Sequence, residues 1–240
     1  MELAERFRTA VAETYDTVAS AELVPMVLAR ACVAVLPVSG AGLSLTDELR
    51  VPLGASDHYA VRAERLQTTL GEGPCLFATR VSRPVAVDQE TMADRWPTFH
   101  RHLVNQTPYR SAASVPLLSR GRGVHLGALD LYLTIAEPVP DFFLTQVASG
   151  VAEPIAHVLF DRQPNVPAES SILPPWLGSS PVRDRMRVWV AVGILIERTT
   201  VSETDALAAL RAYALTHDAT LDEVADRLVA RTLEPGDMFG

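Results

Sequence analysis

A stretch rich in proline and serine divides this 240-residue chain into two unequal parts. It spans residues 161–181, and its prolines are Pro164, Pro167, Pro174, Pro175 and Pro181. Proline fixes φ and removes a backbone donor, so this stretch cannot continue a helix or a strand. We therefore predict an N-terminal domain over 1–160, a semi-rigid linker over 161–180 and a C-terminal domain over 181–240. Such a linker allows the two domains more than one relative orientation.

Alternating apolar residues in the N-terminal part predict five β-strands, because every second side chain of a strand faces the same side. The alternating sets are Leu43 and Leu45; Leu49, Val51 and Leu53; Val85 and Val87; Ala113, Val115 and Leu117; and Leu129, Leu131 and Leu133. Glycines within residues 119–123 favour a hairpin between the last two strands. Helical spacing predicts helices at about 2–35 and 141–160. These segments predict an α+β sandwich with an antiparallel sheet.

The C-terminal part has a wholly helical pattern, and we expect helices at about 181–198, 203–216 and 221–232. A hydroxyl residue followed three positions later by an acid marks a helix start. Two such pairs are Ser202 with Asp205 and Thr220 with Glu223. The first helix is apolar on every side over 188–196, which is more surface than a small bundle can cover. We therefore expect a homodimer.

The composition limits where the protein acts. The longest apolar run, residues 188–196, is far shorter than the ~20 residues needed to span a bilayer, and the charged first residues do not resemble a secretion signal. We expect a cytoplasmic protein. The net charge of -8 argues against binding nucleic acid by bulk electrostatics, so any such contact must be local. All 21 basic residues are arginine, a bias that resembles high-GC bacterial genomes such as those of actinobacteria.

The sequence lacks the motifs of common enzyme and metal sites. It contains no Gly-x-Ser-x-Gly nucleophile motif, no phosphate loop ending in Gly-Lys, and no cysteine or histidine spacing typical of metal ligands. The two cysteines, Cys32 and Cys75, lie in apolar neighbourhoods and are expected to be free thiols. We predict that the protein is not an enzyme and needs neither a cofactor nor a metal.

The C-terminal helices carry a recurring pattern of small and apolar residues. It consists of Ala191, Gly193, Ile194 and Leu195, then Ala206, Leu210, Arg211 and Ala214, then Leu221, Val224 and Ala225. This pattern resembles the ANTAR family, which implies a three-helix unit that binds paired RNA hairpins and so prevents transcription termination. Family members carry a basic residue where this chain has Val192. A glycine in mid-helix costs about 1 kcal/mol relative to alanine, so Gly193 predicts close approach of a neighbouring helix.

A second set of residues lies within positions 20–160. It consists of Gln67, Gly71–Cys75, Asp88, Arg95–Pro97, Phe99, Arg110–Ser111, Val115–Leu117 and Gly127–Leu129. The set resembles a GAF domain of the kind found with ANTAR modules. The resemblance implies an antiparallel sheet sandwiched by helices, with a small-molecule site between the sheet and its covering loops. A fold alone names no ligand.

Four residues of this region are candidates for the ligand pocket: Gln67, Cys75, Trp96 and Phe99. Cys75 could be redox-active or attach a chromophore, but the glycines and proline beside it also fit a tight turn that packs a small apolar thiol. Trp96 and Phe99 could line the pocket, or they could belong to the core, where aromatic residues are common.

Five arginines are candidates for RNA contact: Arg183, Arg185, Arg187, Arg198 and Arg211. The first three fall in the first two turns of a helix, where the helix dipole disfavours each cation by about 0.3–1 kcal/mol, so a function should favour them. Arginine matches phosphate in a bidentate geometry. The alternative is a solvated surface with an ion pair between Asp184 and Arg187.

The two resemblances imply a signal-responsive RNA-binding regulator, a transcription antiterminator whose GAF-like domain senses a small molecule or a partner. Its expected partners are RNA hairpin loops, a small-molecule ligand, a second copy of the chain and, indirectly, RNA polymerase, with no membrane. The alternative is a protein-interaction or dimerisation module that has lost RNA binding. Val192 and the acidic balance favour the alternative, and the arginine cluster favours RNA.

Overall fold

A computed structural model describes residues 2–18, 20–46, 50–120, 123–161 and 174–239. Its centre is a five-stranded antiparallel sheet in the order β2-β1-β5-β4-β3. The strands are β1 (Gly40–Leu45), β2 (Val51–Ala55), β3 (Val85–Val87), β4 (Ser111–Ser119) and β5 (Val124–Leu133). All five predicted strands are present. Leu49, assigned to the second strand, lies outside the described residues.

The longest pairing joins β4 and β5, as the glycine-rich turn predicted. Val115 pairs with Leu129, and the register shifts at Leu117 and Leu118 near the turn. Residues 121–122 of the turn lie outside the described residues. Both faces of β5 are buried between Gly127 and Leu133. Helices therefore cover the sheet on both sides.

The first predicted helix is interrupted. Instead of one helix over 2–35, the chain forms α1 (Leu3–Val18) and α2 (Val24–Val35). Ser20 between them has extended backbone angles, and Pro25 stands in the first turn of α2, where its missing N–H costs nothing. Helical spacing alone could not show this break.

The helix expected at 141–160 is present as one helical segment, Asp141–Asp161. It contains α7 (Asp141–Val147) and α8 (Glu153–Ala156), with π turns after each. By length and composition alone this segment could cross a membrane, and it is the one such segment among the described residues. Its apolar side chains pack into the core below the sheet.

Four further helices complete the N-terminal domain: α3 (His58–Leu70), α4 (Pro74–Val81), α5 (Gln89–Arg95) and α6 (Pro97–Gln106). The sequence pattern did not predict them. In α3 the buried positions include Glu64, Gln67, Thr68 and Thr69, so its inward face is polar and gives no apolar period.

The C-terminal helices are α9 (Ser180–Thr199), α10 (Glu203–Thr216) and α11 (Leu221–Val229). Ser202 caps α10 by accepting a hydrogen bond from the Asp205 N–H, and Thr220 and Glu223 form a reciprocal capping box at α11. Each cap satisfies backbone donors that the helix itself cannot. These three helices share one apolar core.

Most of the predicted linker, residues 162–173, lies outside the described residues. Its last part is packed rather than extended, because Trp176 in a short 3-10 turn joins the core of the sheet domain together with Val182 of α9. The second domain therefore begins in contact with the first.

Gly193 does not mark a close helix contact, which corrects our expectation. The residue is exposed, and a Cβ atom built there would meet no described side chain or neighbouring element within 4 Å. The α9 face that packs on the other two helices is instead formed by Val188, Ala191, Val192 and Leu195.

Candidate ligand and RNA-binding sites

Arg50, directly before β2, is the centre of a buried polar cluster in the sheet domain. Its side chain is about 1% exposed. The guanidinium donates to the Glu64 backbone carbonyl at 2.8 Å and to the Cys75 sulfur at 3.1 Å. It also forms ion pairs with the carboxylates of Glu64, at 2.5 Å, and Asp130. One arginine thus contacts α3, β5 and the start of α4.

The remaining polar groups of the cluster satisfy one another. The Tyr132 hydroxyl donates to Glu64 at 2.6 Å and accepts from the Gln67 amide at 3.0 Å. The Gln67 carbonyl oxygen accepts from the Cys75 N–H at 2.9 Å. Buried polar groups require such partners, since each unpaired one costs about 1–3 kcal/mol.

The cluster holds two carboxyl groups and one cation, and this imbalance shifts its proton affinities. Burial raises the pKa of Glu64 to about 8; Arg50 opposes the rise and Asp130 adds to it. Burial opposes the charge on Arg50, but Cys75, Glu64 and Asp130 outweigh it and raise the pKa of the guanidinium. Glu64 therefore keeps its proton to a higher pH than an exposed glutamate does, and its contact with the permanently charged Arg50 is an ion pair only when Glu64 is ionised.

The four candidate pocket residues do not form one site. Gln67 and Cys75 belong to the Arg50 cluster, whereas Phe99 is fully buried in an apolar core. Trp96 lies at the edge of that core, in edge-to-face contact with Phe77. Burial raises the pKa of the Cys75 thiol well above its usual range, which makes it a poor nucleophile at neutral pH.

The sequence pattern did not indicate Arg50, Glu64, Asp130 or Tyr132 as site residues. One signal was present: Asp130 stands between Leu129 and Leu131 in a strand that is buried on both faces. A carboxylate in such a strand needs a charged or hydrogen-bonding partner. Nothing in the sequence identifies that partner as Arg50, which lies 80 residues away.

The C-terminal helices dock on the outer face of α3. The Thr69 hydroxyl accepts a hydrogen bond from the Leu221 N–H at 3.0 Å, so a side chain of one domain extends the helix cap of the other. Arg65 pairs with Asp184 at 3.2 Å, and Arg62 lies 3.6 Å from Glu223. Helix α3 thus contacts the Arg50 cluster on one face and the second domain on the other.

Arg185 is not presented to solvent, so in this conformation it cannot contact RNA as the sequence predicted. It is about 1% exposed and pairs with buried Asp222 at 2.9 Å. Its Nε and Nη1 have no hydrogen-bond partner among the described residues. Burial lowers the pKa of Arg185 to about 10; Asp222 opposes this, and Arg50, Arg65 and Arg211 add to it.

The other four arginines differ in accessibility. Arg183, Arg187 and Arg198 of α9 are exposed. Arg211 is partly buried, and its guanidinium lies close to Gly71 of the sheet domain. The alternative ion pair of Asp184 with Arg187 does not form, since these residues pair with Arg65 and Asp226 instead.

Val192 lies in the three-helix core and is 3% exposed. A cation at this position would have to leave the core to reach solvent. The departure from the ANTAR pattern therefore adds apolar packing to the bundle at the expense of one possible phosphate contact.

Comparison with known families assigns both parts of the chain. The GAF domain family matches residues 2–157, and the ANTAR domain family matches residues 181–229. Among curated proteins, no relative matches the chain.

Solved structures resemble the sheet domain only distantly. A GAF domain from a phosphoenolpyruvate-protein phosphotransferase of Coxiella burnetii is 18% identical, with a TM-score of 0.43 over 65% of this chain and 95% of that one. The GAF domain region of a membrane protein from Geobacter sulfurreducens is 19% identical, with a TM-score of 0.45 over 62% and 99%. A free methionine-R-sulfoxide reductase from Neisseria meningitidis is 17% identical, with a TM-score of 0.43 over 67% and 92%. These low values carry no argument about activity.

The two family matches agree with the observed architecture. An antiparallel five-stranded sheet flanked by helices occupies the GAF range, and three helices occupy the ANTAR range. An ANTAR domain implies an RNA-binding antitermination regulator, and a GAF domain implies small-molecule sensing. The chain therefore belongs to the GAF domain family and carries an ANTAR domain after it, which is the architecture of the GAF-ANTAR regulators.

Proposed function

We propose that this protein is a transcription antiterminator in which the GAF domain controls the ANTAR domain through α3. The observation that carries the proposal is the double role of this helix. Glu64 and Gln67 face the buried Arg50 cluster, whereas Arg65 and Thr69 contact the ANTAR helices. A ligand or partner that rearranges the cluster would therefore move the helix on which the ANTAR domain rests.

The proposed RNA surface is the exposed basic side of α9, centred on Arg187 and Arg198. These side chains can reach phosphates without a change of fold, whereas Arg185 and Arg211 become accessible only if the ANTAR domain leaves α3. The acidic balance of the chain favours contact with defined RNA hairpins over general attraction to RNA. RNA polymerase would be affected indirectly, through the RNA structure.

The remaining features follow from the same proposal. The GAF domain occupies residues 1–160, the linker 161–180 and the ANTAR domain 181–240. The protein works in the cytoplasm. It acts as a homodimer, because α9 leaves apolar residues exposed. It acts by binding rather than by catalysis. In agreement with this, both thiols, Cys32 and Cys75, are fully buried.

Filter binding to a set of paired-hairpin RNAs, across a salt series, tests the RNA surface. We expect Arg187→Ala combined with Arg198→Ala to weaken binding. If each side chain contacts one phosphate, the slope of log affinity against log salt should flatten by about 1.4–1.8. Arg80→Ala is the matched control, because Arg80 is an exposed arginine of the GAF domain.

Two results would count against the proposal. An unchanged affinity and slope in the double variant would remove this face of α9 from the RNA surface. If the parent protein binds no hairpin RNA at any salt concentration, the competing function, a protein-interaction module, becomes the better account. The buried Val192, in place of the family's cation, favours that competitor.

A further inference from the structure

Two arginines of the ANTAR domain are only partly paired at the interdomain interface, where α9–α11 rest on α3. Arg185 is about 1% exposed, and its Nε and Nη1 have no hydrogen-bond partner among the described residues. Arg211 is partly buried, and its Nε is likewise unpartnered in the described part of the chain. Because buried donors require acceptors, this part of the interface is suited to take a further acceptor.

The two arginines lie in the same part of the interface, at the C-terminal end of α3. Arg211 is close to Gly71, because a Cβ built on Gly71 would lie 3.2 Å from the Arg211 Cζ. Arg185 pairs with Asp222 in the first turn of α11, and this turn is hydrogen-bonded to Thr69. Arg211 is also near enough to contribute to the lowered pKa of Arg185. One acceptor between them could therefore serve both guanidinium groups.

This part of the interface carries more positive than negative charge. Two of its arginines have one acid each: Arg65 pairs with Asp184, and Arg185 pairs with Asp222. Arg211 forms no ion pair with a described acid, and burial lowers its pKa. Asp218 at the rim is 76% exposed and contacts α6 instead. A water molecule would accept from the free donors but would leave this charge in place, which favours an anion.

We propose that a phosphate group binds between the Arg185 and Arg211 guanidinium groups and holds the ANTAR domain on α3. Arginine presents its N–H groups as a planar fork that matches phosphate oxygens, and a tetrahedral anion can accept from two such forks at once. Arg65 and Asp222 line a cavity of about 40 Å³ between the domains. This is the room taken by about three water molecules, comparable with one phosphate group.

Two carboxyl groups also line the cavity, and neither excludes an anion. Glu64 is hydrogen-bonded to Arg50, and Asp222 to Arg185, so each carboxyl already faces a cation. Burial raises the pKa of both groups. A phosphate group therefore meets the unpaired charge of Arg211 without a free carboxylate opposite it. Its regulatory consequence, weaker RNA binding by the docked ANTAR domain, rests on the proposed function, whereas the site itself does not.

Equilibrium dialysis of the full chain against labelled inorganic phosphate, at constant ionic strength, tests the site. We expect saturable binding. Arg211→Gln should raise the dissociation constant about tenfold or more, because one charge-assisted contact is lost at a partly exposed position where the fold is not at risk. Arg185→Gln combined with Asp222→Asn should abolish binding without leaving a buried acid unpaired. Arg80→Gln, at an exposed arginine of the GAF domain, is the matched control and should bind as the parent does.

Hydrogen exchange reports whether the bound anion holds the two domains together. Phosphate should slow exchange at the amides of the first turn of α11 in the parent and not in Arg211→Gln, since a ligand of the docked state stabilises that state. Displacement of the label by phenyl phosphate would point to a phosphorylated metabolite as the source, and its failure to displace would point to free phosphate.

Three results overturn the inference: no saturable uptake at millimolar phosphate, uptake that both arginine variants retain, or exchange in α11 that phosphate leaves unchanged. The first of these would mean that water alone meets the free donors. The filter assay with hairpin RNA separates this failure from that of the proposed function. A protein that binds RNA but no phosphate loses only this site, whereas one that binds phosphate but no RNA keeps the site and loses the antitermination function.

Discussion

Glu64 should make the stability of the GAF domain depend on pH. Its pKa is about 8 in the folded protein and near 4.5 when unfolded, because burial favours the neutral form. The folded state therefore binds the proton more tightly, and the stabilisation is complete below the lower value and lost as pH rises through the higher one. We expect the free energy of unfolding to fall across this interval, by up to about 1.4 kcal/mol per pH unit.

Urea denaturation at several pH values measures this effect. Asp222 contributes a slope of the same sign, since burial raises its pKa against the opposing charge of Arg185. The Glu64→Gln variant separates the two, because it should remove most of the slope while keeping a side chain of the same shape. A variant with the parent's slope would show that Glu64 is ionised throughout.

At the scale of single residues, the sequence predicts only part of the buried Arg50 cluster and of the proposed RNA surface. It identified Gln67 and Cys75 as pocket candidates, and both are in the buried cluster. It could not identify Arg50 as their neighbour or Arg185 as buried, because both depend on partners far along the chain. Arg185 meets an acid 37 residues away, and no local pattern distinguishes it from the exposed Arg187.

At the scale of the element, two glycines should respond in opposite ways to the same substitution. Gly193→Ala should stabilise the ANTAR domain by about 0.5–1 kcal/mol, because the methyl group meets open space and alanine favours a helix. Gly54→Ala should destabilise the GAF domain by about 1–3 kcal/mol, because a Cβ in β2 would lie 2.6 Å from the backbone nitrogen of Met26.

Thermal denaturation followed by circular dichroism distinguishes the two outcomes. The measurement is made at low protein concentration, so that any effect of Gly193→Ala on dimer formation does not enter. If both variants lose stability to the same degree, a helix of the same chain approaches Gly193 closely, as the sequence predicts.

The elements that could be predicted share one property, an apolar face. The strands and α9–α11 alternate or repeat in a way that separates buried from exposed positions, and capping residues fixed the starts of α10 and α11. Helix α3 escaped prediction because its buried face consists largely of polar residues that serve the Arg50 cluster. The helix proposed to control the ANTAR domain is thus one with a weak hydrophobic signal.

At the scale of the whole molecule, the two domains are joined by the apolar packing of Trp176 and Val182 and by polar pairs at α3. The ion pairs, Arg65 with Asp184 and Arg62 with Glu223, are partly exposed, and such pairs contribute at most about 1 kcal/mol each. Buried Arg185 opposes docking, because two of its donors lack partners among the described residues. Because Arg185 opposes docking, a ligand that prefers the undocked state can open this contact.

The hydrogen bond from the Leu221 N–H to Thr69 allows this contact to be opened selectively. We expect Thr69→Val combined with Arg65→Ala to release the ANTAR domain, because the first removes the acceptor and the second an ion pair, while neither residue faces the Arg50 cluster. Hydrogen exchange at the amides of the first turn of α11 should accelerate, while β4 and β5 keep their protection. Thr69→Ser with Arg65 intact is the matched control, since serine retains the acceptor and should leave exchange nearly unchanged.

Affinity for hairpin RNA should rise in the released variant as Arg185 and Arg211 become accessible. Unchanged exchange in α11 would show that apolar packing, and not α3, holds the two domains together.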